Sequence, residues 1–244
     1  MTRPDPATVL RGKTAIVTGA SSGIGRATAE QLIEIGVRVA LVGRNEGRLR
    51  AAAQHWPSAL WLPLECDVRS DPSVREMVAA AEHHFGQVDI LVNSAGVFKV
   101  LALTELTNEA WQELWETNVN GTVFPTRAVL PGMLKRATGY IVIVSSVAAH
   151  RGYANMTGYG ATKHAVTGFG RALTTEVRRS GIRVINVASG PVDTPIWDGL
   201  NEPLPRAEML TADEVATAII NAMTISNRQV TEDVLLLPQG GLYF

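Results

Sequence analysis

Seven short apolar runs, alternating with stretches of helical period, limit what this chain can fold into. They lie at 15–17, 37–42, 60–62, 89–93, 140–144, 183–187 and 234–237. Runs of this length, bounded by Gly, Pro, Asn and Ser, read as buried strands. The stretches between them carry helix signals. Ala27, Leu32, Ile33 and Ile35 fall on one face before a stop at Gly36, and Asn45 reads as a cap. Asp71-Pro72 opens a helix that runs to Phe85-Gly86, with proline in its first turn. A long pattern from Thr107 to about Lys135 carries Trp111 and Trp115, read as core or subunit-contact residues, and contains Pro125 and Pro131, which should bend or break it. Further helices are expected from Tyr159 to Ser180-Gly181 and from Ala212, while 195–205, with three prolines and Trp197, reads as a loop. Strands joined through helices must run parallel, with helices on both faces. The expected fold is therefore α/β: a doubly wound parallel sheet of about seven strands, in one domain over residues 1–244 with no repeat and no linker.

Charge and cysteine content narrow the partners. Basic and acidic residues nearly cancel, 22 against 23, and no basic cluster stands out. Nucleic acid and an anionic membrane surface are thereby disfavoured. Cys66 is the only cysteine, so no internal disulfide can form, and a cytoplasmic home is expected. The first residues lack an apolar signal region, and no apolar run approaches the roughly 18 residues of a membrane span. His83 and His84 are adjacent and would point about 100° apart on a helix, so no metal is expected.

Three constellations carry chemistry. Gly19, Gly23 and Gly25 stand between the first strand and its helix, with Ser21 and Ser22 among them. Glycines there let a backbone approach a pyrophosphate at a helix N-terminus. The Gly-x-x-x-Gly-x-Gly spacing differs from the usual dinucleotide fingerprint, and a turn that only packs helix on strand is the plainer reading. After the second strand comes Gly43-Arg44, where an acidic residue would bind a free ribose. A guanidinium there suits a 2′-phosphate and points to NADP(H); a solvated arginine with NAD(H) preference is the alternative. Finally, Tyr159 and Lys163 are four apart on a helix and share a face, and Ser146 lies at the end of the fifth strand. Such pairs are more often simply exposed.

Taken together these elements resemble the short-chain dehydrogenase/reductase family over essentially the whole chain. Thr18-Gly19-Ala20-Ser21-Ser22-Gly23-Ile24-Gly25 is similar to its cofactor loop, Asp67-Val68 to the pair that meets the adenine, and Asn93-Ser94-Ala95-Gly96 to its Asn-Asn-Ala-Gly element. Tyr159-Gly160-Ala161-Thr162-Lys163 matches its Tyr-x-x-x-Lys, Ser146 stands thirteen residues earlier at its serine position, and Asn118 resembles its fourth catalytic member. The resemblance implies a Rossmann-like fold and a nicotinamide cofactor, with Val192 and Thr194 also at it. It implies hydride transfer between the nicotinamide and a small-molecule carbonyl or secondary alcohol, with Tyr159 as proton donor or acceptor. Ser146 would hold the substrate oxygen, and Asn118 a water relaying protons through Lys163. A homo-oligomer, tetramer or dimer, is implied as well. As a base near neutrality Tyr159 would need its pKa lowered by roughly three units, which Lys163 and the nicotinamide charge would favour.

Two departures stand out. Ser189-Gly190 replaces the family's Pro-Gly, and Leu236-Leu237-Pro238-Gln239-Gly240-Gly241 replaces its commoner Val-Asp-Gly-Gly ending. A non-catalytic NAD(P)-binding sensor and a transferase on a related sheet are the competing functions. Segments 150–156 and 195–209 are expected to border the substrate, with Trp197, Leu200 and Leu204 as an apolar wall.

Overall fold

The computed structural model describes residues 5–199, 205–225 and 229–241. Its strands are β1 (Thr14–Thr18), β2 (Arg38–Gly43), β3 (Trp61–Glu65), β4 (Ile90–Asn93), β5 (Gly139–Val144), β6 (Ile182–Ser189), β7 (Val192–Asp193), β8 (Leu210–Thr211) and β9 (Asp233–Leu236). Seven of them form one sheet in the order β3-β2-β1-β4-β5-β6-β9, every neighbouring pair parallel. This is the Rossmann-like arrangement expected. The chain moves outward one way from β1 and the other way from β4, so the order reverses between them. In such sheets a crevice opens at the carboxyl ends of the strands at that point.

The helices are α1 (Pro6–Leu10), α2 (Gly23–Ile35), α3 (Glu46–Ala53), α4 (Asp71–Phe85), α5 (Asn108–Leu114), α6 (Gly121–Arg136), α7 (Thr157–Val177) and α8 (Ala212–Met223). Successive strand residues point to opposite faces, which divides the core in two. Ala15, Val17, Ile90, Val92 and Val142 pack with Leu32 and Ile33 of α2 and Ile219 of α8. Ile16, Leu91, Ile141 and Ile143 pack on the other side with Val78 of α4, Met133 of α6 and Val166 of α7. Gly36 ends α2 in the left-handed conformation, φ 91°, and Asn45 caps α3 by accepting from the Arg48 amide, both as expected.

Several boundaries differ from the sequence reading. The long helical pattern is divided, but not by its prolines: α6 runs unbroken through Pro125 and Pro131. The interruption lies earlier, in a π-helical turn, Trp115–Asn120, where the Gly121 amide reaches back to the Glu116 carbonyl. Burial of Pro125 in the face of α6 shows tertiary packing overriding local propensity. Trp111 and Trp115 stack on each other at 5.6 Å and are each 37% exposed, so they are not core. Helix α1 was not anticipated, although Asp5-Pro6 carries its start signal: the Asp5 carboxylate accepts from the Ala7 amide. The expected loop at 195–205 contains a 3₁₀ turn, Pro195–Trp197, and is flanked by β7, which pairs with β8. Leu200 and Leu204 lie outside the described residues. Among those described, no helix is long and apolar enough to cross a membrane.

Candidate active site

The loops leaving the carboxyl ends of β1 to β6 meet in one cleft of about 430 Å³. The catalytic and cofactor candidates singled out from the sequence line it, with three exceptions: Gly25, Asn93 and Asn118.

One wall is the glycine turn. Gly19 has φ 68°, and a Cβ there would stand 3.0 Å from the backbone of Ala95. A Cβ on Gly25 would lie 2.5 Å from the Gly19 carbonyl oxygen. No side chain fits at either position, so the backbone itself is presented there. Thr18, not chosen from the sequence, locks it: its Oγ1 accepts from the amides of Ser94 and Ala95 at 3.0 and 3.1 Å, tying the loop after β4 to the end of β1. Ser22, at the N-cap of α2, makes no capping bond. The first amides of α2 are thus left without a side-chain acceptor, the arrangement that favours an anion.

The far end of the cleft holds the charges. Arg44 and Arg48 follow β2, and Asp67, Val68 and Arg69 follow β3. Arg69 grips Asp67 with Nε and Nη2, at 2.9 to 3.0 and 2.6 Å, and also donates its backbone amide. That grip is the main reason the Asp67 carboxyl is held below the usual range. Among the described residues neither the Arg44 nor the Arg48 guanidinium is in an ion pair. Arg48, in the first turn of α3, stands four residues beyond Arg44 in the loop before it, a spacing visible in the sequence but not used there.

At the near end, β5 delivers Ser146, and α7 presents Tyr159 and Lys163 on one face. The Ser146 hydroxyl accepts from the Ala148 amide at 3.1 Å and stands near enough to the Tyr159 hydroxyl to influence its ionisation. Burial pushes the Tyr159 phenol up to about 12, with Ser146 opposing the rise. Burial also brings the Lys163 ammonium down to about 8. Lys163 is 7% exposed; its Nζ donates to the Val144 carbonyl at 3.0 Å and stands 5.7 Å from the centre of the Tyr159 ring. The chain by itself therefore holds the phenol neutral, opposite in direction to the drop that base catalysis requires. Phe98, also unforeseen, meets the Tyr159 ring edge-on at 4.8 Å and Trp197 at 5.0 Å.

Neither asparagine lines the cleft. Asn93 donates to Thr126 Oγ1 of α6 at 3.0 Å. The Asn118 side chain accepts from the Val97 amide at 2.8 Å and donates to the Val97 carbonyl and to Thr162 Oγ1, both at 3.0 Å. Both of its amide hydrogens are used, and its backbone carbonyl accepts from Thr122 Oγ1 at 2.8 Å. Asn118 thus clamps the loop after β4 to α7 and has no side-chain donor left for a relay water. Thr194 reaches back to the glycine turn, where a Cβ on Gly23 would come 3.1 Å from its methyl group. Val192 holds the same segment through its carbonyl, which accepts from Thr194 Oγ1 at 3.4 Å and from the Trp197 indole at 2.7 Å. Among the described residues no group of three or more His, Cys, Asp or Glu could hold a metal ion.

Comparison with known proteins places this geometry. The model of the short chain dehydrogenase family matches residues 13–205. An uncharacterized oxidoreductase of Staphylococcus epidermidis is 34% identical over 229 residues, covering 94% of this chain and 98% of its own length. One from Staphylococcus saprophyticus is 40% identical over 190 residues, 77% of this chain and 81% of the relative. Among solved structures, the crystal structure of gox2181 superposes with a TM-score of 0.87 at 25% identity, covering 95% of this chain and 96% of that one.

Proposed function

This chain belongs to the short-chain dehydrogenase family and is an oxidoreductase, and on that premise we propose that it reduces ketones with NADPH, Tyr159 giving the proton. The observation that carries the reading is the convergence of Ser146, Tyr159 and Lys163 on a cleft that is also lined by the glycine turn, whose Gly19 and Gly25 leave no room for a side chain. The turn fits a dinucleotide: Gly19, Gly23 and the first amides of α2 would take its pyrophosphate, and Asp67 and Val68 would border the adenine. When bound, the nicotinamide supplies the hydride that adds to the carbonyl carbon while the C=O electron pair moves to oxygen.

The remaining steps belong to the protein. Ser146 donates to the substrate oxygen, and Tyr159 passes its phenolic proton to that oxygen as it becomes an alcohol. Lys163 keeps a positive charge near the ring at pH 7, since the pH lies below its pKa of about 8. It thereby steadies the phenolate left behind. Asn118 acts at one remove, by fixing the loop after β4 against α7. We also read the exposed Trp111–Trp115 stack as a contact between copies in a homo-oligomer.

Preference for the phosphorylated cofactor rests on Arg44, seconded by Arg48, at the ribose end of the cleft. Arg44→Asp exchanges a cation for a like charge facing the 2′-phosphate. It is expected to weaken NADPH binding by about tenfold to a hundredfold while changing NADH binding less than about threefold. Fluorescence titration of both cofactors checks this. Equal losses would remove Arg44 as the discriminator.

A further inference from the structure

We propose that the substrate is an uncharged ketone carrying an aryl group, which seats on a wall of rings leading to Tyr159; this rests on the reductase reading above. The wall is a chain of edge contacts. Trp197 meets Phe98 at 5.0 Å and 65°, and Phe98 meets Tyr159 at 4.8 Å and 88°. Ile196 extends it at 43% exposure, and Met156 and Val147 face the same space. Aromatic rings prefer such edge and offset arrangements, so a further ring from a ligand continues the series.

The second half of the inference concerns charge. Among the described residues lining the cleft, Arg44, Arg48, Asp67 and Arg69 lie at the ribose end after β2 and β3, and Lys163 is buried behind the Tyr159 ring. Charged groups near the mouth are turned on one another. Arg206 bonds Asp193 at 2.9 Å, Asp198 at 2.7 Å and the Thr194 carbonyl at 3.2 Å, bracing the turn that carries Trp197. Lys99, next to Phe98, pairs with Glu113 at 2.8 Å. The Trp197 indole N–H is spent on the Val192 carbonyl, so that ring offers the cleft only apolar surface. Arg151, which does not line the cleft, is within electrostatic reach of Tyr153, which does. A carboxylate or phosphate on the substrate would enter this wall without a built partner, and an unpaired charge is costly to desolvate.

The test compares methyl 4-acetylbenzoate with 4-acetylbenzoate, which differ by one charge placed far from the reacting carbon. With NADPH, kcat/KM for the ester should exceed that for the acid on the order of 100-fold. The ratio of the ester to 2-butanone should fall about tenfold in Phe98→Ala and also in Phe98→Leu, which keeps apolar bulk but lacks the ring. Equal or better turnover of the acid would overturn the substrate class and leave the reductase reading standing, as would an unchanged ratio in both variants. No reduction of either compound, of 2-butanone or of the reactive diketone butane-2,3-dione, with NADPH or NADH, would bring down the reductase reading itself.

Discussion

Replacing Tyr159 with phenylalanine is expected to lower kcat for ketone reduction by about 10²–10⁴-fold, the range of a positioned general acid. Binding of NADPH should stay within about threefold, and the melting temperature should hardly move. The substituted side chain keeps a ring against Phe98, so only the hydroxyl facing Ser146 is lost. The direction of the phenol's shift adds a second expectation. A group pushed up to about 12 is protonated throughout the neutral range and is ready to donate, which suits reduction. Alcohol oxidation requires the phenolate, so its kcat should climb as pH rises from about 7 toward about 10, while reduction should be flat from about pH 6 to 7. Initial rates in both directions across that range give the answer. Near wild-type turnover by Tyr159→Phe would end the assignment, whatever the pH profile.

Much of this architecture is legible in the sequence, because strand and helix periods differ so plainly. Apolar runs at 15–17 and 140–144 are too short and too strongly β-branched to be helical faces, and each leads directly into chemistry-bearing residues. Side-chain direction was harder to read. Asn93 and Asn118 occupy motif positions, yet their amides turn to Thr126 and to Val97 and Thr162. A motif shows that a residue type is needed there without showing which way it faces. The division of the long helix was misplaced for a related reason. Pro125 and Pro131 are local signals, whereas the π turn at Trp115–Asn120 coincides with long-range bonds from Asn118. Phe98 escaped notice because a lone aromatic in a loop carries no period. Only the meeting of the loop after β4 with the Pro195–Trp197 turn gives it meaning.

Lys163→Met should abolish most turnover and yet make the protein more stable near neutrality. The ammonium sits 7% exposed with one hydrogen bond, to the Val144 carbonyl, and burial brings its pKa from 10.5 to about 8. In the unfolded chain the same lysine keeps its proton up to about 10.5. Between pH 8 and 10.5 the unfolded state therefore binds more protons than the folded one, and the lysine's contribution to stability improves as pH rises through that window. Below about pH 8 both states are protonated and the whole penalty is present, about 3 kcal/mol at about 1.36 kcal/mol per pKa unit. Methionine removes it at the loss of one charge-assisted hydrogen bond worth about 1.5–3 kcal/mol, leaving a net gain of at most about 2 kcal/mol near neutrality. For a domain of this size that is a rise in melting temperature of up to about 4–8 °C. The gain over wild type should shrink when both proteins are melted at about pH 10. A variant that melts lower than wild type near neutrality, or whose advantage is the same at both pH values, would show that the buried ammonium is not held at a cost. If the pattern appears, the cleft keeps a destabilising charge where the phenolate needs one, the exchange of stability for activity expected of a reactive site.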